Sequence, residues 1–124
     1  MAGEKRFENK IKEYLRSVGV YPFGTPEDKI TVPICGYHEK RFANAYTKSG
    51  LPDLSISIRG YSLEIEVKAK DGVASDLQLK NIDLIRRSGA FAYIVYPSGW
   101  EKLKAIIDGL LIDEFNREEE VILK

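Results

Sequence analysis

Residues 53–69, DLSISIRGYSLEIEVKA, constrain the fold more than any other stretch. Leu54, Ile56 and Ile58 alternate with Ser55 and Ser57, and Leu63, Ile65, Val67 and Ala69 alternate with Glu64, Glu66 and Lys68. Successive side chains of a strand point to opposite faces, so each alternation predicts a half-buried strand. Arg59-Gly60 suits the two-residue turn of a hairpin. Closing the hairpin there pairs Ile58 with Tyr61, Leu54 with Ile65 and Asp53 with Glu66. Leu54, Ile56, Leu63, Ile65 and Val67 then face a core, and Asp53, Ser55, Glu64, Glu66 and Lys68 face the other way.

That second face sets one acid against another. Directly opposed Cβ atoms lie roughly 4.5–5.5 Å apart, where like charges repel. Lys68, on the same face, supplies part of the compensation. A divalent cation supplies more, since Mg²⁺ takes oxygen ligands at about 2.0–2.1 Å and is commonly held by one or two carboxylates. A one-residue slip in register would separate the two acids, and an ordinary solvated strand face with a Glu66–Lys68 ion pair is the alternative.

Around the hairpin, the pattern is α, uncertain β, hairpin, α, β, α. Phe7, Ile11, Leu15 and Val18 recur at helical spacing, predicting a helix over 4–18 that VGVYPFGTP breaks. Over 29–47, KITVPI and RFANAYT are candidate strands, the first weakened by Pro33. Ser75-Asp76-Leu77-Gln78 has the form of a capping box opening a helix over 76–88. AFAYIVYP reads as a buried central strand. Ser98-Gly99-Trp100-Glu101 has the form of a second capping box, opening a helix whose apolar side carries Leu103, Ile106, Ile107, Leu110 and Leu111. The terminal EFNREEEVILK has no clear assignment. The fold class expected is α/β, a single domain over 1–124 with its core at about 5–112, an acidic segment at 113–124, and a mixed sheet flanked by helices.

The length of 124 residues supports one domain with a real core, and 44% hydrophobic with 31% charged residues is an ordinary soluble balance. No apolar run approaches the ~20 residues of a membrane span, so no membrane partner is expected. The charged start MAGEKRFENK lacks an apolar leader, and the single Cys35 rules out an internal disulfide. A cytoplasmic location is expected. The net charge of zero hides an asymmetry: residues 108–124 hold six acids and two bases, net −4, leaving +4 on residues 1–107. Lys5, Arg6, Lys10, Lys12 and Arg16 crowd the first helix, and Lys40, Arg41 and Lys48 precede the hairpin. Such clusters suit phosphate contacts, although a mixed-sign solvated surface explains them too. Lys5, Arg6, Lys10, Lys40, Arg41, Lys48 and Lys70 are the candidate DNA-binding residues.

Pro52-Asp53, twelve intervening residues and Glu66-Val67-Lys68 form a Pro-Asp…(Asp/Glu)-x-Lys pattern. With Glu8 in the first helix, SGLPDL, EIEVKAKDG, SDLQ and RRSGAFAYIV in order, the chain resembles the PD-(D/E)XK nucleases of the restriction-endonuclease-like superfamily, in particular their VRR-NUC branch. The resemblance spans roughly residues 5–112 and leaves 21–48 and the acidic tail unmatched. It implies an αβββαβ-type core and metal-dependent hydrolysis of DNA phosphodiester bonds. Asp53 and Glu66 would bind Mg²⁺, or Mn²⁺ as a substitute, helped by the Val67 carbonyl. Lys68 would position or activate water and stabilise charge at the scissile phosphate. Glu8 would serve a second metal or its water shell, and Gln78 would orient Lys68 or touch the phosphate.

Stand-alone relatives, bacterial and viral, would act as homodimers on branched DNA such as four-way (Holliday) junctions, in repair and recombination within a bacterial cell or phage-infected host. The nearly continuous apolar run AIIDGLLI at 105–112 also fits a dimer, unless the tail folds back over it. A non-catalytic DNA-binding or inhibitory module on the same fold is the alternative.

Simpler readings stand beside several of these roles. Glu8 and Lys12 suit an exposed i,i+4 pair. Asp53 suits a turn, and Gln78 suits a cap. His38 is expected at the surface or in a loop, and Cys35 as a small core residue. Tyr37, Phe42 and Tyr46 are expected to pack within strands, with stacking on bases the less expected role.

Overall fold

A computed structural model describes residues 2–41, 49–115 and 120–124. In chain order they form α1 (Ala2–Ser17), β1 (Val20–Pro22), a 3-10 turn (Glu27–Lys29), β2 (Gly36–Lys40), β3 (Leu54–Ile58), β4 (Tyr61–Val67), α2 (Asp76–Arg87), β5 (Phe91–Val95), a second 3-10 turn (Pro97–Gly99), α3 (Trp100–Leu111) and β6 (Ile122–Leu123). The six strands make one mixed sheet in sequential order. The centre β2-β3-β4 is an antiparallel meander. β1 runs parallel to β2, β5 parallel to β4, and β6 parallel to β5. Among the described residues, no helix is long and apolar enough to cross a membrane.

The hairpin forms in the expected register, with Leu54 opposite Ile65 and Ile58 opposite Tyr61. Arg59 and Gly60 both take positive φ, 49° and 88°, as the primed turns that match strand twist require. The alternation then sorts the sheet into two faces. Leu54, Ile56, Ile58, Leu63, Ile65 and Val67 join Phe7, Ile11 and Leu15 of α1 and Leu103, Ile107 and Leu110 of α3 in the main core. On the other face, Ala92, Ile94 and Tyr96 pack with Ile82 of α2 in a smaller cluster. β5 is buried along its whole length, hence the unbroken apolar run.

The Ser75 capping box forms in full: the Ser75 hydroxyl accepts from the Gln78 N–H, and the Gln78 side chain accepts from the Ser75 N–H. The expected second box does not form. Ser98 lies inside the Pro97–Gly99 turn, α3 is capped by Gly99 without a side-chain bond, and the extended residue is Tyr96, two positions earlier. An N-cap needs extended backbone, which the turn denies Ser98.

Three strands, β1, β2 and β6, were not expected as such. β1 lies in the segment read as a break. β2 starts just beyond KITVPI, which is not itself a strand. Instead that segment wraps the buried Tyr21, whose hydroxyl accepts from the N–H groups of Thr31 (3.0 Å) and Val32 (2.8 Å) and donates to the Val32 carbonyl. Most of RFANAYT, with Phe42 and Tyr46, lies outside the described residues. The tail does fold back: Val121 and Leu123 carbonyls accept from Ile94 and Tyr96, and Phe115 packs edge-on against Tyr61 and Phe91. Leu103, Ile107 and Leu110 are buried within the chain, and Ile112 is left 63% exposed. The apolar run that suggested a dimer is thus largely covered by the chain's own core and tail.

Candidate active site

The meander ends, and the chain crosses to α2, at the point where four of the expected site residues meet. Asp53 lies one residue before β3, and its Oδ2 accepts from the Val67 N–H at 3.1 Å. This contact continues the hairpin pairing one step past the last ladder pair and holds Asp53 beside the end of β4. Glu66 points to the α2 face, like Ile94 opposite it on β5. Its Oε2 accepts from Gln78 Nε2 at 3.1 Å and lies 3.3 Å from Lys68 Nζ. Gln78 Oε1 in turn accepts from Lys68 Nζ and from the Ser75 N–H, both at 2.9 Å. Gln78 is therefore both cap and bridge: its amide oxygen anchors the ammonium and its amide nitrogen the carboxylate.

Glu66 is 4% exposed, and its Oε1 has no hydrogen-bond partner among the described residues. Burial first, and then the negative charge of Asp53, push its carboxyl up to about 7, against the opposing pull of Lys68. A buried carboxylate oxygen without a donor, next to a second carboxylate, can be met either by a proton held between the two acids or by a cation. Asp53, Glu66 and the nearby Val67 carbonyl are the hard oxygen donors that Mg²⁺ or Mn²⁺ prefers. Among the described residues no group of three or more His, Cys, Asp and Glu side chains assembles as a metal site, so the fit is to one cation held by two carboxylates.

The loop carrying Asp53 is braced from β2. Arg41 N–H donates to the Asp53 carbonyl at 2.7 Å, and its guanidinium donates to the Pro52 carbonyl at 2.9 Å. The same guanidinium pairs with buried Glu64 at 2.6 Å, and Glu64 also accepts from Ser55. Gly50 has φ 78°, and a Cβ there would come within 2.6 Å of Leu77 on α2. Glycine thus lets the loop lie against the helix that supplies Gln78. Arg41, a candidate DNA contact, is engaged with Glu64 and Pro52. The signal for this brace was present: Glu64 faces Ser55 in the hairpin register, and a buried acid needs a partner.

Glu8 lies apart from this group, on α1 and the opposite face of the sheet. It is 1% exposed and surrounded by lysines: Lys40 at 2.6 Å, Lys12 at 3.0 Å and Lys5 at 3.5 Å. The i,i+4 pair with Lys12 exists, but it is buried at the carboxylate rather than exposed. Burial pushes this carboxyl up, yet the hydrogen bonds and charges of Lys40 and Lys12 outweigh it and leave it below the usual 4.5. Of the other basic candidates, Arg6 and Lys10 on α1 and Lys70 after β4 converge on the rim of one cavity. Lys48 lies outside the described residues.

His38 departs from its expected surface position. It sits in β2, 3% exposed, because its register partner Ile56 faces the main core. Burial and the charges of Lys12 and Arg16 lower it to about 4, so it is neutral near pH 7. Cys35 packs partly buried against the core, as expected. Tyr37 stays 45% exposed and leans on Phe23 at 5.3 Å.

Comparison with known proteins returned no match to a family model, to a curated protein or to a solved structure.

Proposed function

We propose that this chain is a metal-dependent deoxyribonuclease of the PD-(D/E)XK type, hydrolysing DNA phosphodiester bonds. The observation that carries the reading is the buried, unpartnered Oε1 of Glu66, set beside Asp53 and backed by a lysine and a glutamine. The order α1, β2, β3, β4, α2, β5 also agrees with the αβββαβ core that the resemblance implies, with β1 and β6 added at the edges.

In this reading Asp53, Glu66 and the Val67 carbonyl hold Mg²⁺ or Mn²⁺. Such a cation, when bound, polarises a phosphoryl oxygen and lowers the pKa of its water. The chain's own residues do the rest. The Val67 N–H fixes the Asp53 carboxylate. Gln78 holds Lys68 and Glu66 in one orientation, so the ammonium is preorganised near the phosphate rather than free to sample rotamers. Arg41 braces the loop that presents Asp53. Glu8, held by three lysines on the opposite face of the sheet, is a structural acid in this reading rather than a second metal ligand.

Branched DNA and a two-fold dimer belong to the proposal through the resemblance and the logic of paired cuts in a symmetric substrate. The test is incubation with linear, flap and four-way DNA, with Mg²⁺ and with EDTA. Cleavage that needs the metal and disappears in Asp53→Asn supports the reading. Cleavage equal in EDTA, or none on any substrate by a folded protein, overturns it and favours a binding module.

A further inference from the structure

A second recognition element lies at the same end of the sheet. Gly3, Arg6, Phe7 and Lys10 of α1, with Lys70 and Pro97, line a cavity of about 290 Å³. Its apolar lining comes from buried Phe7, the exposed Pro97 ring and the backbone of Gly3. Its rim carries three cations from two distant parts of the chain. Among the described residues Arg6 and Lys70 have no anionic partner, and Lys10 lies over the Trp100 ring at 5.3 Å. Lys70 is two residues past Lys68, so the cavity adjoins the candidate active site along the chain. Ligand pockets run from roughly 300 Å³ upward, so this cavity fits a single small unit and not a duplex. An apolar lining under a cationic rim complements a flat base attached to phosphates.

We infer that this slot receives one unpaired nucleotide of the DNA strand next to the scissile phosphate, its base against Phe7, Pro97 and Gly3 and its flanking phosphates against Arg6, Lys10 and Lys70. The inference rests on the nuclease reading for its ligand class. It adds that the substrate presents an unstacked nucleotide, as single strands, flaps and branch points do and uninterrupted duplex does not.

Trp100 is the only tryptophan. It lies beneath Lys10 and edge-on to Phe7, with ring centroids 6.5 Å apart, so its fluorescence reports on the slot. The experiment titrates metal-free protein in EDTA with hexathymidylate, with a blunt hairpin duplex and with inorganic phosphate. Hexathymidylate is expected to change the Trp100 emission, with the duplex at least tenfold weaker and phosphate silent at equal concentration. Arg6→Ala with Lys70→Ala should lower the salt dependence of hexathymidylate binding by about 0.7 in log–log slope per lost contact. Gly3→Leu separates the slot from the fold. A Cβ at Gly3 meets only Ala69, at 3.9 Å, and leucine favours helix, so the variant should fold while plugging the slot and weakening hexathymidylate at least tenfold.

An equal response to phosphate, equal affinity for duplex, or wild-type affinity in Gly3→Leu overturns the inference. Because no metal is present, these outcomes are independent of cleavage. Loss of the slot with metal-dependent cutting intact refutes this inference alone, and a working slot without cutting refutes the nuclease reading alone.

Discussion

Glu8 and Glu66 are both buried carboxylates in one small domain, and the protein treats them in opposite ways. Glu8 is surrounded by Lys5, Lys12 and Lys40, and its carboxyl is held below 4.5. Each acid has one oxygen that makes no hydrogen bond, but that of Glu8 lies 3.0 Å from Lys12, whereas Glu66 has one lysine, on its other oxygen, faces another acid and is pushed up to about 7. Folding has neutralised the first with the chain's own cations and left the second incomplete. An incomplete buried charge is destabilising, and sites of function are where such strain persists. In the proposed reading, the contrast marks Glu66 as the carboxylate that a cation would complete.

The largest expected effect falls on cleavage at the incomplete site. Asp53→Asn, Glu66→Gln and Lys68→Ala should each reduce the metal-dependent rate by on the order of 10³-fold, about 4 kcal/mol of barrier. Lys68→Ala should keep the fold and most of the DNA affinity, since one charge near one phosphate matters more to the reaction than to binding. Circular dichroism, a filter-binding isotherm and a cleavage time course measure the three properties. Wild-type cutting by Lys68→Ala would remove the assigned role.

Glu8→Gln should do the reverse, harming stability more than chemistry. It leaves Lys12 and Lys40 without their counter-charge, and because both lysine side chains are partly exposed, at 27% and 23%, a loss of about 2 kcal/mol is expected, below the value for fully buried pairs. The sign with pH follows from the lowered carboxyl. Its stabilising contribution is present above the unfolded value of 4.5 and is lost as pH falls through its lower folded value. Urea unfolding of both proteins from pH 3 to pH 7 should show the gap closing at the acid end. A constant gap would mean that the loss comes from packing rather than charge.

Gln78 tests whether the bridge between Glu66 and Lys68 is more than a helix cap. Gln78→Ala should slow cleavage about 10- to 100-fold, as loss of groups that orient ligands does, and cost about 1 kcal/mol of stability through the lost cap contact. Gln78→Glu separates the two effects. It can still accept from the Ser75 N–H, but it sets a third acid against Glu66. Helix stability should return while cleavage stays low. Recovery of cleavage together with stability would reduce Gln78 to a cap.

Much of this arrangement was legible in the sequence because it depends on local periodicity. The alternation over 54–67 and the Arg59-Gly60 turn specify the hairpin register, which brings Asp53 to the end of β4. Ser75 and Gln78 specify the start of α2. What escaped depends on long-range contact. β1 and β6, three and two residues long, are too short to show a period, and they exist because β2 and β5 offer them open edges. The segment after β1 lacks strand pairing because the Tyr21 hydroxyl serves its backbone instead. His38 reads as polar and exposed until the register puts its neighbour Ile56 in the core. The brace from Arg41 to Glu64 escaped because it depends on Glu64, on a different strand, being buried. Glu8 was legible as a notable acid, but its lysine partner Lys40 is 32 residues away.

The smallest effect is the most direct test of incompleteness. Glu66→Gln keeps the shape of the side chain and removes its charge, so it should stabilise the protein while abolishing its chemistry. The folded carboxyl is raised to about 7 from an ordinary 4.5, so folding favours its protonated form. Its contribution to stability is therefore fully present below 4.5 and is lost as pH rises through about 7. At pH 8 the wild type carries the buried charge and the glutamine variant does not. The variant should be more stable there by on the order of 1 kcal/mol, and the difference should shrink toward pH 4.5, where both side chains are neutral. Mg²⁺ should then act unequally on the two proteins. At a concentration ten times its dissociation constant it should stabilise wild type by about 1.4 kcal/mol, with less effect on the variant, which has lost a charged ligand. Thermal melts at pH 4.5 and pH 8, with and without Mg²⁺, measure all four states. Parallel pH curves for the two proteins, or equal Mg²⁺ stabilisation, would show that Glu66 is no less satisfied than Glu8 and would dissolve the contrast between them.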